Sequence, residues 1–299
     1  MQCPYRRALV VANPIAGSGR ARAAAEELAR ELLRGGLEHE LHFTSARGDG
    51  RRRVRERHGA FDVVVAVGGD GTVREVLDGL VDPSVPVMVF ALGTANVMSL
   101  DLGLPRDPAG VARAVFGGRT TAIDVARVNG EHLSFLVTGV GFDAQVVAGL
   151  ERLRKGPITR GTWARAAASA FFLEPVPRLS VALDGRAIEG EFAQVLFSNV
   201  VHYGGYDVLA RDRVLDDGAW ELYLFPARTR LGLLSHAARA AFGRFPGGSV
   251  RRERGRKLEV RSLRASPAAG VPVQVDGDLA ATTPATIELE RLQRRLVLP

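Results

Sequence analysis

Along the first 120 positions, apolar residues fall in short continuous runs, each closed by a glycine-bearing loop and followed by a segment of helical period. Runs at 8–12, 40–43, 62–67 and 85–90 are of strand length, and unbroken apolarity marks strands buried on both faces, as in a parallel sheet. Between them the pattern predicts helices over 21–34, stopped by Gly35-Gly36, after Gly48-Asp49, after Thr72, and over 97–102. A further helix is capped by Asp107 with Pro108 at its first position and closed by Gly117-Gly118. This strand–loop–helix rhythm predicts a doubly wound α/β domain with a mostly parallel sheet.

After residue 120 the rhythm changes. Strands over 121–128 and 132–137 flank Asn129-Gly130, and strands over 178–183 and 186–197 flank Asp184-Gly185, both strong hairpin signals. Further strands are expected at 220–225, 257–263, 271–275 and 286–289, with helical inserts near 144–153, 161–172 and 231–241. The second domain therefore reads as an antiparallel β-sandwich with helical inserts. The expected division is 1–120 and 121–299 with a hinge at 118–121, and the final segment is able to pack back on the first domain.

Composition narrows the class. In 299 residues, 46% hydrophobic and 24% charged content is that of a globular protein with a sizeable core. A single cysteine, Cys3, excludes an internal disulfide framework and suits a reducing compartment. The six histidines lack metal-ligand spacing, and Ser18 lacks the context of a hydrolase nucleophile. The densest apolar helical stretch, 166–173, is far short of the roughly 20 residues that span a bilayer. The N-terminus shows no signal-peptide pattern, so a cytoplasmic location is expected.

Net charge is +7, with arginine runs at 51–53 and 251–257 that read as a solvated basic surface. Such a surface suits peripheral attachment to anionic lipid, about 1 kcal/mol per exposed Lys or Arg. Aromatics are 6% and do not interleave with the basic residues, so nucleic acid is not an expected partner. Trp163 and Phe171-Phe172 read as the core of a helical insert, and His202-Tyr203-Gly204-Gly205 as a surface turn.

The candidate chemistry centres on Gly68-Gly69-Asp70-Gly71-Thr72. Glycines let backbone approach a ligand, and the N–H groups of the following helix favour an anion. Asp70 can hold a magnesium ion and Thr72 can bond a phosphate. The loops at 13–19, 44–49, 68–72 and 93–96 all follow strands and are expected at one edge of the sheet, where ligands of such folds bind.

Asn13-Pro-x-x-Gly17, the Gly-Gly-Asp-Gly-Thr turn, Gly93-Thr94-Ala-Asn96, Ile123-Asp124, Gly139-x-Gly-Phe142, Asp216-Asp217-Gly218 and Asp276-Gly277-Asp278 occur in this order. The series, spanning essentially the whole chain, resembles the diacylglycerol kinase catalytic family, in particular its bacterial soluble lipid kinases, relatives of the sphingosine kinases. The resemblance implies an ATP- and Mg2+-dependent lipid kinase acting on a hydroxyl of diacylglycerol or a related lipid. It implies nucleotide contacts at Asn13, Thr44, Gly68, Gly69, Asp70, Gly71, Thr72, Arg74, Gly93, Thr94 and Asn96. It implies catalytic magnesium on Asp70, helped by Asp124, and Asp276 or Asp278 as general base. A structural magnesium is implied at Asp217 with the carbonyls of Val214 and Ala219.

The chain departs from the family pattern at several places. Arg74 stands where asparagine is usual, Val97 where an aspartate often follows Asn96, and Asp278 where glutamate is usual. Arg211 and Arg213 replace a Pro-x-Ala before the Asp-Asp-Gly turn. The implied partner is a lipid substrate met peripherally at the inner face of a membrane, with a homodimer left open. An NAD kinase-like enzyme, which shares the Gly-Gly-Asp-Gly-Thr turn, and a non-catalytic lipid- or nucleotide-binding relative are the alternative readings.

Overall fold

The valine-rich run after Asp62 forms a strand whose six residues are all buried, as continuous apolarity requires. A computed structural model describes residues 3–153, 160–203, 206–207, 209, 211–241, 248–263 and 270–299. In chain order the first elements are β1 (Arg7–Ala12), α1 (Arg20–Arg34), β2 (Glu38–Phe43), α2 (Asp49–Glu56), β3 (Val63–Gly68), α3 (Asp70–Gly79), β4 (Val87–Ala91), α4 (Val97–Leu102), α5 (Pro108–Gly117) and β5 (Thr120–Ile123). Next come β6 (Ala126–Val128), β7 (His132–Ser134), β8 (Val137–Gly141), α6 (Phe142–Leu153), α7 (Arg160–Leu173), β9 (Leu179–Leu183), β10 (Arg186–Phe192) and β11 (Gln194–Ser198). The rest are β12 (His202–Tyr203), β13 (Tyr206–Asp207), β14 (Trp220–Phe225), α8 (Arg230–Ala241), β15 (Arg251–Gly255), β16 (Lys257–Ser262), β17 (Pro272–Val275), β18 (Asp278–Thr282), β19 (Ala285–Leu289) and β20 (Arg294–Val297).

The chain divides into two units. The first comprises 1–123 and 291–299, the second 124–290. Unit 1 is a six-stranded sheet of order β2-β1-β3-β4-β20-β5, parallel except where β20 meets β5. Alternate strand residues (Val10, Val65, Phe90) pack with Leu28 and Leu32 of α1 and Val111 and Val115 of α5. Helices α2 and α3 pack on each other and on β1 and β3, so helices cover both faces and the domain is doubly wound. Asp107 caps α5 by accepting the Gly110 N–H at 2.8 Å, with Pro108 in the first turn. The segment 120–123 is a strand of this sheet, so the chain leaves unit 1 at Ile123, beyond the expected hinge at 118–121.

Unit 2 carries two six-stranded antiparallel sheets, β10-β9-β16-β19-β6-β7 and β15-β14-β11-β8-β17-β18. One core joins their inner faces, with Leu179, Val181, Leu258 and Ile287 from the first and Val140, Phe197, Trp220 and Val273 from the second. That is the β-sandwich, with α6, α7 and α8 as its helical inserts.

Several expected strands are each two. The 121–128 run splits between the units, and the 132–137 run breaks because Phe135, Leu136 and Val137 turn their N–H groups to a carboxylate. The 186–197 run changes sheets at Ala193, whose N–H donates to the Phe225 carbonyl at 2.9 Å. Among the described residues no helix is long and apolar enough to cross a membrane.

Candidate active site

In unit 1 the strand order reverses between β1 and β3. Chain connections depart to β2 on one side and to β3 and β4 on the other. Crevices at such switch points, at the carboxyl ends of the strands, are where doubly wound sheets bind ligands. The loops after β1 and β3 flank this point. The Asn13 N–H donates to the Val67 carbonyl at 2.9 Å, and the Asn13 Oδ1 accepts the Ile15 N–H at 3.2 Å. Thr44, at the end of β2, donates its N–H to the Ala12 carbonyl at 2.9 Å.

The two Gly-Thr turns meet backbone to backbone. A Cβ on Gly93 would lie 2.4 Å from the Gly69 Cα and 2.9 Å from the Asn96 Oδ1, so this approach tolerates no side chain. Asn96, at φ 53°, closes its turn by accepting the Gly93 N–H at 2.8 Å and donating to the Gly93 carbonyl at 2.9 Å. Helix α3 starts at Asp70, whose Oδ2 accepts the Val97 N–H at 3.3 Å. Thr72 is buried over Gly68, while a Cβ on Gly71 would meet nothing within 4 Å. Thr94 is exposed and Arg74 half-buried. Open space above a glycine in the first turn of a ten-residue helix fits a phosphate.

The loop after β2 joins this edge through Glu75 of α3, which the sequence reading missed. Its Oε1 accepts the Gly48 N–H at 2.7 Å and its Oε2 the Gly50 N–H at 3.1 Å. Buried Asp49 takes the Ser45 N–H at 2.8 Å and the Ser45 hydroxyl at 3.0 Å, and the Ser45 backbone bond leads in holding its pKa below the usual carboxylate value. Arg294 of β20, also missed, is buried and donates to the Leu77 carbonyl at 3.3 Å, placing a cation at the negative end of α3.

In unit 2 the turn Asp276-Gly277, with φ of 50° and 90°, joins β17 to β18 and places Asp278 at the first position of β18. Asp276 is enclosed by four donors. Its Oδ1 accepts the Ser134 hydroxyl at 2.9 Å and the Leu136 and Val137 N–H groups at 3.0 Å, and its Oδ2 the Phe135 N–H at 3.2 Å. Buried Gln274 accepts the Gly277 N–H at 2.8 Å, and its side chain and that of Asp143 in α6 both lie against Gly139. Burial raises the Asp143 pKa, against the hydrogen bond from Tyr203. Tyr203 is thus a half-buried partner of Asp143 rather than part of a surface turn, and its own pKa is pushed far up by burial and by that carboxylate. Gly204 and Gly205 lie outside the described residues.

The residues implied for a structural metal do not fit one. Asp217 Oδ1 accepts the Ala219 N–H at 3.2 Å, and its Oδ2 pairs with the Arg254 guanidinium, so a side-chain cation supplies the charge. Asp124 Oδ2 accepts the Gly218 N–H at 2.7 Å and the Asp124 N–H donates to the Leu215 carbonyl at 2.7 Å. Buried Asp124 therefore fastens the Asp-Asp-Gly turn within unit 2. Asp70 is placed differently, in the first turn of α3 beside the open space over Gly71. Among the described residues no three His, Cys, Asp or Glu side chains cluster to hold a metal. An ion there would share one carboxylate with phosphate oxygens and water, the usual state of magnesium.

Together these features define a class: a doubly wound α/β domain with a Gly-Asp-Gly turn at its switch point, followed by an antiparallel sandwich. Residues 7–128 match the diacylglycerol kinase catalytic domain. The chain is 28% identical over 240 residues to a diacylglycerol kinase of Bacillus subtilis (strain 168), covering 73% of each chain. It is 27% identical over 304 residues to a diacylglycerol kinase of Staphylococcus aureus (strain bovine RF122 / ET3-1), covering 96% of this chain and 90% of that one. The fold is shared with a solved diacylglycerol kinase from Bacillus anthracis str. Sterne, at TM-score 0.73 and 18% identity over 99% of this chain and 98% of that one. A second structure from that organism reaches TM-score 0.81 at 20% identity over 100% of this chain and 97% of the other.

Proposed function

We propose that the protein is an ATP- and magnesium-dependent lipid kinase that phosphorylates a hydroxyl of diacylglycerol or a related lipid at a membrane surface. The observation that carries this reading is the first turn of α3. There Asp70 and the open Gly71 sit beside the switch point of the sheet, within the residues that match the diacylglycerol kinase catalytic domain. Phosphate oxygens accept N–H groups from the start of α3 and from Thr94, while Asn13, Thr44 and Asn96 hold the surrounding loops in place. Magnesium, when bound at Asp70, neutralises charge on the phosphates.

In the transfer step the lipid oxygen bonds to the γ-phosphorus as the bond from that phosphorus to the β–γ bridging oxygen breaks, and ADP leaves. A carboxylate takes the hydroxyl proton. Asp278 is the better candidate, because four donors already engage the oxygens of Asp276. Asp276 holds the turn that presents Asp278. Asp124 and Asp217 are read as structural.

The test is transfer of labelled γ-phosphate from ATP to detergent-dispersed diacylglycerol. Wild type is expected to form labelled lipid, and Asp70→Ala to lose the activity while keeping its melting temperature. Full turnover by that variant would sink the assignment.

A further inference from the structure

Phe172, read from sequence as insert core, is instead 68% exposed, and Leu173 beside it 77%. Phe171 carries the packing, in a small cluster with Ala193, Ala227 and Leu233. Two more large apolar side chains, Leu231 at 77% and Leu234 at 53%, stand out from α8, three residues apart and so on one face of that helix. Leu233 and His236, on its other side, are buried. The two helices are tied at this point. Arg230 donates its Nε to the Phe171 carbonyl at 2.7 Å and its Nη2 to the carbonyls of Phe172 at 3.1 Å and Glu174 at 3.3 Å. The end of α7 and the start of α8 thus hold four exposed apolar side chains on well-bonded backbone.

Charge and a cavity say what this corner meets. Residues 160–173 and 228–241 contain five arginines (160, 165, 228, 230 and 239) and no aspartate or glutamate. A second copy of the chain docking here would set these cations against each other, whereas an anionic bilayer complements them. A cavity of ≈ 410 Å³ begins at Glu174 and Pro175, immediately after Leu173, and is lined by Ala148, Val271, Pro272 and Leu279. Leu279 adjoins Asp278 and donates its N–H to the Glu151 Oε1 at 3.4 Å. A cavity of mixed lining, with Gln145, Glu151, Arg152 and Glu174 beside its apolar residues, therefore extends from the exposed tip of α7 to Leu279, next to Asp278.

We infer that Phe172, Leu173, Leu231 and Leu234 form a docking surface for an anionic lipid bilayer, with the arginines of α7 and α8 against the headgroups. The apolar side chains enter the interface as those of a monotopic helix do, and the mouth of the cavity lies beside them. This inference rests on the lipid-kinase reading in taking the partner to be a membrane.

The experiment is co-sedimentation of the full chain, without nucleotide, with phosphatidylcholine vesicles that contain or lack phosphatidylglycerol. Wild type should bind the anionic vesicles more strongly and release in high salt. The Phe172→Asn/Leu231→Asn double variant should partition about tenfold or more weakly at an unchanged melting temperature. Equal binding by that variant, or a wild type indifferent to phosphatidylglycerol, overturns the inference. So does sedimentation velocity showing that wild type dimerises and the variant does not. A parallel assay on detergent-dispersed dioctanoylglycerol separates the two readings. If the variant keeps the wild-type rate there and loses it on vesicles, the docking surface stands. If wild type binds vesicles through this corner yet never phosphorylates the short-chain lipid, the kinase reading falls alone.

Discussion

In unit 1 the dipeptide Asp70-Gly71 opens helix α3, whereas in unit 2 the same dipeptide at 276–277 closes the β17–β18 hairpin. The surroundings of the two carboxylates differ in kind. Asp276 is held at 2.9–3.2 Å by four donors from residues 134–137, a satisfied charge that fixes a turn. Asp70 takes the Val97 N–H at a long 3.3 Å, and the glycine after it faces open space. The Asp276 turn is closed by the protein's own donors; at the Asp70 turn the proposed phosphate would occupy the open space over Gly71. Asp217-Gly218 falls with the former, its carboxylate taken by Arg254 and the Ala219 N–H.

This contrast can be broken by substitution. Asp276→Asn should have the largest effect on stability, because it weakens four charge-assisted bonds and turns an amide N–H toward donors. About 2–4 kcal/mol is expected, a fall of roughly 5–10 °C in thermal unfolding. An unchanged melting temperature would show that the enclosure contributes nothing.

Within unit 1, Asp49 is likewise held by the protein's own donors. Asp49→Asn should cost about 1–2 kcal/mol at neutral pH. Because the folded state lowers the Asp49 pKa, its contribution is present above the unfolded value and lost as pH falls through the folded one. The gap between variant and wild-type melting temperatures should therefore shrink on acidification, and a gap independent of pH would argue against the charge.

Gly71→Ala should be the smallest change and opposite in sign. With room for the methyl group and a helical backbone, it should stabilise by about 0.5–1 kcal/mol while weakening ATP binding, read by titration calorimetry. Stabilisation with unchanged ATP affinity would mean that no phosphate reaches this turn.

The rhythm of unit 1 was legible because its strands are buried on both faces and read as unbroken valine-rich runs. The loops singled out at 13–19, 44–49, 68–72 and 93–96 do lie on one edge of the sheet, since each follows a parallel strand. The edges of unit 2 were not legible. Residues 251–255 read as a solvated charge run, yet they form β15. There Arg252 and Arg254 pair with buried Glu221 at 2.7 and 2.8 Å, an ion pair that only the strand pairing creates. The enclosure of Asp276 was hidden for the same reason, as its donors lie about 140 positions upstream. Glu75 and Arg294 carry no motif and act through contacts that appear only on folding. The exposed Phe172 resembled core because an aromatic pair at a helix end has the same composition in either setting.

The difference between the two carboxylates of the 276–278 turn is tested most directly by Asp278→Asn, with turnover, ATP affinity and melting temperature measured on one preparation. Half-buried Asp278 as general base predicts turnover reduced by about 10²–10⁴-fold, with ATP affinity and melting temperature as in wild type. Wild-type turnover in that variant, or a loss wholly accounted for by unfolding, would contradict it.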